Sequence, residues 1–353
     1  MTLSQTFQFF LVGLALTFVS ALVAVALARR VALMDFPGSA PHKQHSRPTP
    51  LAGGIALMLT LAAAGAFLGL FANLQVRAIF LASLPVFGFA LWDDKAHLLP
   101  RQKLVGQTLG AIALIALGVH VRIFDSPEFF VQLSPLLSRW LNWGFTLFWM
   151  VGLTNAFNFV DSMDGLAVGL AMNTALFFAL FTFDAAQLDF ARLSLILLGA
   201  CAALYALNSA PAVFFLGDSG AQTLGFWLAA LAIVYSPQGA NQSSSWFVPL
   251  LLLGVPLFDT TLVVVSRWRR GLPVYRASRD HTYHRLIARR VAPTRAVLTM
   301  HGAAVLLGAL AAICLGLPPF AANLILLGVV LLGALTLLWL EIGYRGENQE
   351  IRK

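Results

Sequence analysis

QFFLVGLALTFVSALVAVALARR, residues 8–30, is an unbroken apolar run closed by a pair of arginines. A helix needs about 20 apolar residues to cross a hydrocarbon core of roughly 30 Å. A cleaved secretory leader carries its basic residues ahead of the apolar run. Here none precedes it, and Arg29 and Arg30 follow it. The run therefore reads as a retained span, N-terminus outside, with the loop after it inside.

The same window finds ten further runs: 51–72, 78–92, 104–121, 140–157, 165–183, 190–208, 221–236, 246–266, 297–316 and 320–341. Composition agrees, since 59% of the 353 residues are hydrophobic and 11% charged. A soluble domain carries about 25% charged residues. This excludes a soluble globular enzyme, a disordered chain and a fibrous one. The expected fold is an all-α integral membrane bundle of about 10–11 transmembrane helices. It forms one polytopic domain over 1–353, with a basic loop at 267–296 and the C-terminus in the cytoplasm. The net charge of +8 fits this topology without nucleic acid. Of the 23 Lys and Arg, 19 fall on the inner side and four, Arg77, Arg122, Arg139 and Arg192, on the outer. That bias is the positive-inside signal. Cys201 and Cys314 lie within apolar runs and read as small buried hydrophobes.

Polar residues gather in five clusters. The first loop holds Asp35, His42-Lys43-Gln44-His45 and the pair Gly53-Gly54, which lets helices approach closely. Asp93-Asp94 close the third span, near Lys103 and Gln107. Beside a divalent cation such carboxylates become ligands or a base. Asn155, Asn158, Asp161 and Asp164 join the fifth and sixth spans, where polar groups at membrane depth usually line a wet cavity. Gly217-Asp218-Ser219-Gly220 opens the eighth, offering a bare backbone to a phosphate and a carboxylate to a metal. Arg279-Asp280-His281-Thr282-Tyr283-His284 sits in the basic loop, as donors to phosphate.

All five fall on the inner side of a topology derived from charge alone. Carboxylates that hold a metal, beside Arg, Lys and His that neutralise oxygens, make a phosphate-handling site. A cytosolic nucleotide-activated donor and a lipid phosphate acceptor satisfy both halves.

These segments, in order and spacing from about Asp35 to Leu286, resemble the motifs of the polyprenyl-phosphate N-acetylhexosamine-1-phosphate transferases. Members of that superfamily start O-antigen, teichoic acid and peptidoglycan lipid intermediates. The resemblance implies transfer of N-acetylhexosamine-1-phosphate from a UDP-N-acetylhexosamine to a polyprenyl phosphate, releasing UMP, in a bacterial inner membrane. It implies Mg²⁺, or Mn²⁺ in its place, held by Asn158 and Asp218. Asp93, Asp94, His281 and His284 match catalytic positions. Lys43, His45, Asn155, Asp161, Asp164, Gly217 and Arg279 match substrate-binding ones. Related proteins make a homodimer the expected assembly. Two departures stand out: Tyr283 replaces the middle His of the usual His-x-His-His, and the usual Asp-Gly-x-Asp-Gly reads Asp161-Ser162-Met163-Asp164-Gly165. Both lie in or near sugar-recognising parts. The rival reading is a polytopic secondary transporter with an intramembrane Asp/His ion path. Transporters bury ionisable groups near the midplane, and here only Asp259 lies deep in a span.

Overall fold

The computed structural model describes residues 3–37, 47–125, 133–209, 211–237, 247–273, 280–342 and 344. Lys43, His45 and Arg279 lie outside the described residues. The helices are α1 (Leu3–Arg30), α2 (Gly53–Phe67), α3 (Leu74–Ala96), α4 (Pro100–Ala116), α5 (Pro135–Val160), α6 (Leu166–Asp184), α7 (Leu188–Asn208), α8 (Gly217–Val234), α9 (Phe247–Leu252), α10 (Gly254–Arg269), α11 (Thr282–Ala288), α12 (Pro293–Leu315) and α13 (Pro319–Glu341). Among the described residues the one sheet pairs β1 (Met34–Asp35) antiparallel with β2 (Thr49–Pro50).

Every apolar run is helical, but the ninth is broken: α9 stops at Leu252 and α10 begins at Gly254. Pro256 explains the break, since it has no N–H to give the carbonyl of Leu252, four residues earlier. The basic loop is partly helical too, because it contains α11. Helix starts follow local chemistry. Asn73 caps α3 by accepting from the N–H groups of Gln75 (3.0 Å) and Val76 (3.3 Å). Proline opens α4, α5, α12 and α13 at the first turn, where an N–H would lack a helical partner anyway.

The spans α1, α3, α6, α7, α12 and α13 are long and apolar enough to cross a membrane. Of the others, α4, α5, α8 and α10 all carry residues of the site described below. At the centre stands α8, packed against α2, α3, α5, α6 and α9 and buried along almost its whole length. At the opposite extreme, α13 turns Phe320, Leu327 and Leu335 outward.

Lipid tails are as apolar as leucine, so close packing and polar contacts hold such helices together. Gly53-Gly54 shows the first. A Cβ on Gly53 would lie 2.6 Å from the Leu216 Cα, and one on Gly54 2.3 Å from Ser219 Oγ. The pair thus brings α2 onto the start of α8, as its sequence suggests. A parallel bridge from Leu51 to Phe215 extends that seam. The second device is a knot of amides among α4, α5 and α8. Gln107 donates to Asn155 (3.2 Å) and to Gln222 (3.0 Å) and accepts from Asn155 (2.6 Å).

Candidate active site

The end of α3, the start of α4, the end of α5 and the start of α8 meet at one end of the bundle. Asp93, 3% exposed, accepts from the Leu98 N–H (2.7 Å) and is ion-paired with Lys103 of α4. The Lys103 ammonium also reaches Asp218 Oδ2 at 2.7 Å, so one cation bridges two carboxylates. The Asn158 amide lies beside Asp218 as well. Asp94 accepts from the backbone N–H of Asp218 (2.7 Å) and of Ser219 (3.1 Å). A carboxylate there satisfies N–H groups that a helix start leaves without partners and complements the helix dipole.

Gly217 makes this contact possible. Its φ is +72°, and a Cβ on it would stand 2.8 Å from Asp94 Oδ2. Across the gap, the Asp161 carboxyl is pushed well above its usual range, first by burial and then by Asp218, Asp164 and Asp94. Among the described residues Lys103 is the cation paired with this group of carboxylates, and carboxylates crowded this closely favour a further cation beside them.

The two imidazoles, His281 and His284, lie at the start of α11. His281 Nδ1 lies 2.8 Å from Asp259 Oδ2, and Asp259 Oδ1 accepts the Thr282 N–H at 2.6 Å. With Nδ1–H donating to Asp259, the ring is held in one orientation and Nε2 is left for a substrate oxygen. The His281 ring packs 6.0 Å from Phe159, just past Asn158, and 6.0 Å from His284. Tyr283 donates to Met163 Sδ at 3.1 Å. Burial, then Asp164, raises its hydroxyl above the usual range. Contacts thus run without interruption from α3 to α11.

The structure brings Asp93, Asp94, Asn158, Asp161, Asp164, Gly217, Asp218, His281 and His284 to this one end. Asn155 lies deeper, in the amide knot, and Asp94 and Gly217 are engaged with each other at the α8 start. Two residues outside the expected set belong to the site. Lys103 carried a signal, a cation at the entrance to the fourth span soon after Asp93-Asp94. Asp259 carried one as well, a carboxylate deep in a span, but its pairing with His281, 22 residues away, left no trace in the sequence.

Among the described residues no three His, Cys, Asp or Glu side chains surround one point. Mg²⁺ does not require that, since it commonly binds through one or two carboxylates, with waters and substrate phosphates completing the shell. Asp218 with the Asn158 amide is a hard oxygen donor set of that kind.

Between α4 and α5 an apolar groove of about 620 Å³ runs from Leu104, next to Lys103, past Thr108, Phe148 and Gly152. Its size lies within the about 300–1,000 Å³ of ligand pockets. A Cβ on Gly144 or Gly152 would meet nothing within 4 Å, so both glycines leave the groove open.

The family model described as glycosyl transferase family 4 matches residues 76–236. The chain is 27% identical over 295 residues to the probable undecaprenyl-phosphate N-acetylglucosaminyl 1-phosphate transferase of Bacillus subtilis, covering 83% of this chain and 80% of that one. It is 30% identical over 302 residues to the decaprenyl-phosphate N-acetylglucosaminephosphotransferase of Mycobacterium tuberculosis, covering 78% and 74%. Similarity also extends, at 28% over 228 residues, to the phospho-N-acetylmuramoyl-pentapeptide-transferase of Limosilactobacillus fermentum, covering 62% and 67%.

Proposed function

The chain belongs to glycosyl transferase family 4, among the polyprenyl-phosphate N-acetylhexosamine-1-phosphate transferases, and from that premise we propose that it moves N-acetylhexosamine-1-phosphate from a UDP-sugar to a polyprenyl phosphate. One observation carries this reading. Lys103 bridges Asp93 and Asp218, Asn158 and Asp161 border them, and the carboxylate-held His281 packs on Phe159, the residue after Asn158.

In the reaction a lipid phosphate oxygen forms a bond to the sugar-proximal phosphorus. The bond from that phosphorus to the bridging oxygen breaks, and UMP leaves with the electron pair. A phosphate monoester has its second pKa near 6, so at pH 7 the nucleophile is largely ionised and needs no obligatory base. Lys103 draws the acceptor phosphate toward Asp93 and Asp218 while offsetting its charge. Asp94 holds the start of α8 and so aims Asp218. With both ring nitrogens protonated, His281 donates from Nε2 to a phosphate oxygen while its Nδ1–H stays on Asp259, which orients it. We assign Asn158 and Asp218 as the residues that would hold Mg²⁺, which when bound would withdraw charge from the diphosphate. The α4–α5 groove takes the prenyl chain, since it starts beside Lys103 and continues along an apolar wall.

The basic bias of the loops at this end supports a cytosolic site in a bacterial inner membrane. Asp259, the deep carboxylate on which a transporter reading rests, is committed to His281 and Thr282. The test is to incubate the purified protein with a panel of UDP-N-acetylhexosamines, undecaprenyl phosphate and Mg²⁺. UMP release coupled to formation of a lipid diphosphate sugar is expected. Absence of UMP with every donor overturns the reading.

A further inference from the structure

α13 presents an anomaly. Most of its length is exposed, with Leu324, Val330 and Leu338 all outward, yet it ends in a buried pair, Leu340 and Glu341. A carboxylate 8% exposed at the tip of an otherwise lipid-facing helix is costly unless it is paired. Glu341 is paired twice, with Arg285 of α11 and Arg269 of α10.

Arg285 is fully buried and does more than balance that charge. Its Nε donates to the Asp280 carbonyl at 2.8 Å, in the peptide immediately before His281. The same guanidinium lies 4.0 Å from the Tyr344 ring centre and donates to the Leu340 carbonyl at 3.3 Å. One helical turn on, Arg289 donates to the carbonyls of Trp339 (2.7 Å), Leu340 (3.2 Å) and Ile342 (3.1 Å). These are end carbonyls a helix cannot satisfy itself, and a cation there also complements the dipole. α11 and the end of α13 are thereby one block. Meanwhile the Asp280 side chain is gripped from α10, by Arg267 (2.9 and 3.1 Å) and Arg270 (2.7 Å).

We propose that Glu341 is a positioning residue for His281, acting through Arg285 on the peptide at Asp280. What His281 does rests on the transferase reading above; that it is held from α13 does not. Asp259 fixes the imidazole and the Thr282 N–H, Arg267 fixes the Asp280 side chain, and Arg285 holds the Asp280 carbonyl between them. Without the Glu341 charge, Arg285 has a nearby alternative in Tyr344, and the Asp280–His281 peptide loses its fixed donor. A misplacement of about 1 Å in a reacting group can cost about 100-fold in rate.

The test compares wild type with Glu341→Gln, in detergent, by UMP release. A fall in kcat of about 10- to 100-fold is expected, with KM for polyprenyl phosphate unchanged within twofold. Adding Glu341→Gln to His281→Ala should cost little more than His281→Ala alone, because both act on one imidazole. Arg285→Lys, which keeps a cation for Glu341 but loses the Nε bond, should reproduce the kcat loss and serves if Glu341→Gln fails to fold. Full activity in both variants, or losses that multiply with His281→Ala, overturns the proposal while leaving the transferase reading intact. If wild type releases no UMP, acylation of His281 by an imidazole-directed reagent still decides. Faster modification in Glu341→Gln than in wild type supports positioning, and equal rates refute it.

Discussion

Asp218 is the joint of the described site: its carboxylate meets Lys103, Asn158 and Asp93, and its backbone N–H is held by Asp94. Asp218→Asn should lower UMP release at least about 100-fold, or about 2.7 kcal/mol of barrier. Asp259→Asn should cost about 10- to 100-fold in kcat, the usual penalty for losing the partner that orients a working imidazole. Asp161 sets a pH dependence. Its folded-state carboxyl titrates above the unfolded value of about 3.9, so as pH rises the unfolded chain releases that proton first. Stability is thus lost with rising pH until the folded group also ionises. A divalent cation opposes this, and added Mg²⁺ should raise the thermal transition more at pH 8 than at pH 5. Asp161→Asn should shrink that difference. An equal rise at both pH values would count against a cation at this carboxylate.

At the scale of elements, the start of α8 is the part least tolerant of change. Gly217→Ala adds a Cβ where φ is +72° and where Asp94 already sits, so a loss of about 1–3 kcal/mol is expected from strain alone. A lower melting temperature with depressed turnover would show it. α5 invites the opposite experiment, because Gly152 faces open space. Gly152→Leu should leave the fold and the KM for UDP-sugar unchanged. It should raise the KM for undecaprenyl phosphate several-fold and spare a short-chain prenyl phosphate. Chain-length dependence identical to wild type would remove the groove as the lipid's seat.

At the scale of the molecule, the site end and the opposite end are expected on opposite sides of the membrane. Arg101, at the start of α4, is exposed near the carboxylates, and Gln75, at the start of α3, is exposed at the far end. Cys201 and Cys314 are buried, so cysteines introduced at these two positions report alone. In sealed inner-membrane vesicles with the cytosolic face outward, an impermeant thiol reagent should label Arg101→Cys and not Gln75→Cys. The reverse pattern would invert the orientation.

What could be read from the chain alone was whatever depends on short-range order. Apolar runs of span length locate helices because a membrane tolerates little else, and basic residues orient them. Pro256 and Gly254 were visible too, yet an apolar window averages across them, so the break between α9 and α10 escaped it. The carboxylates were legible as polar residues where apolar ones belong. Partnerships were not: Lys103 with Asp93 and Asp218, Asp259 with His281, and Glu341 with Arg285 join residues 10 to 115 apart. A pair of that kind leaves no spacing in sequence, because its distance is set by how helices cross. Only packing in three dimensions decides which buried charge meets which.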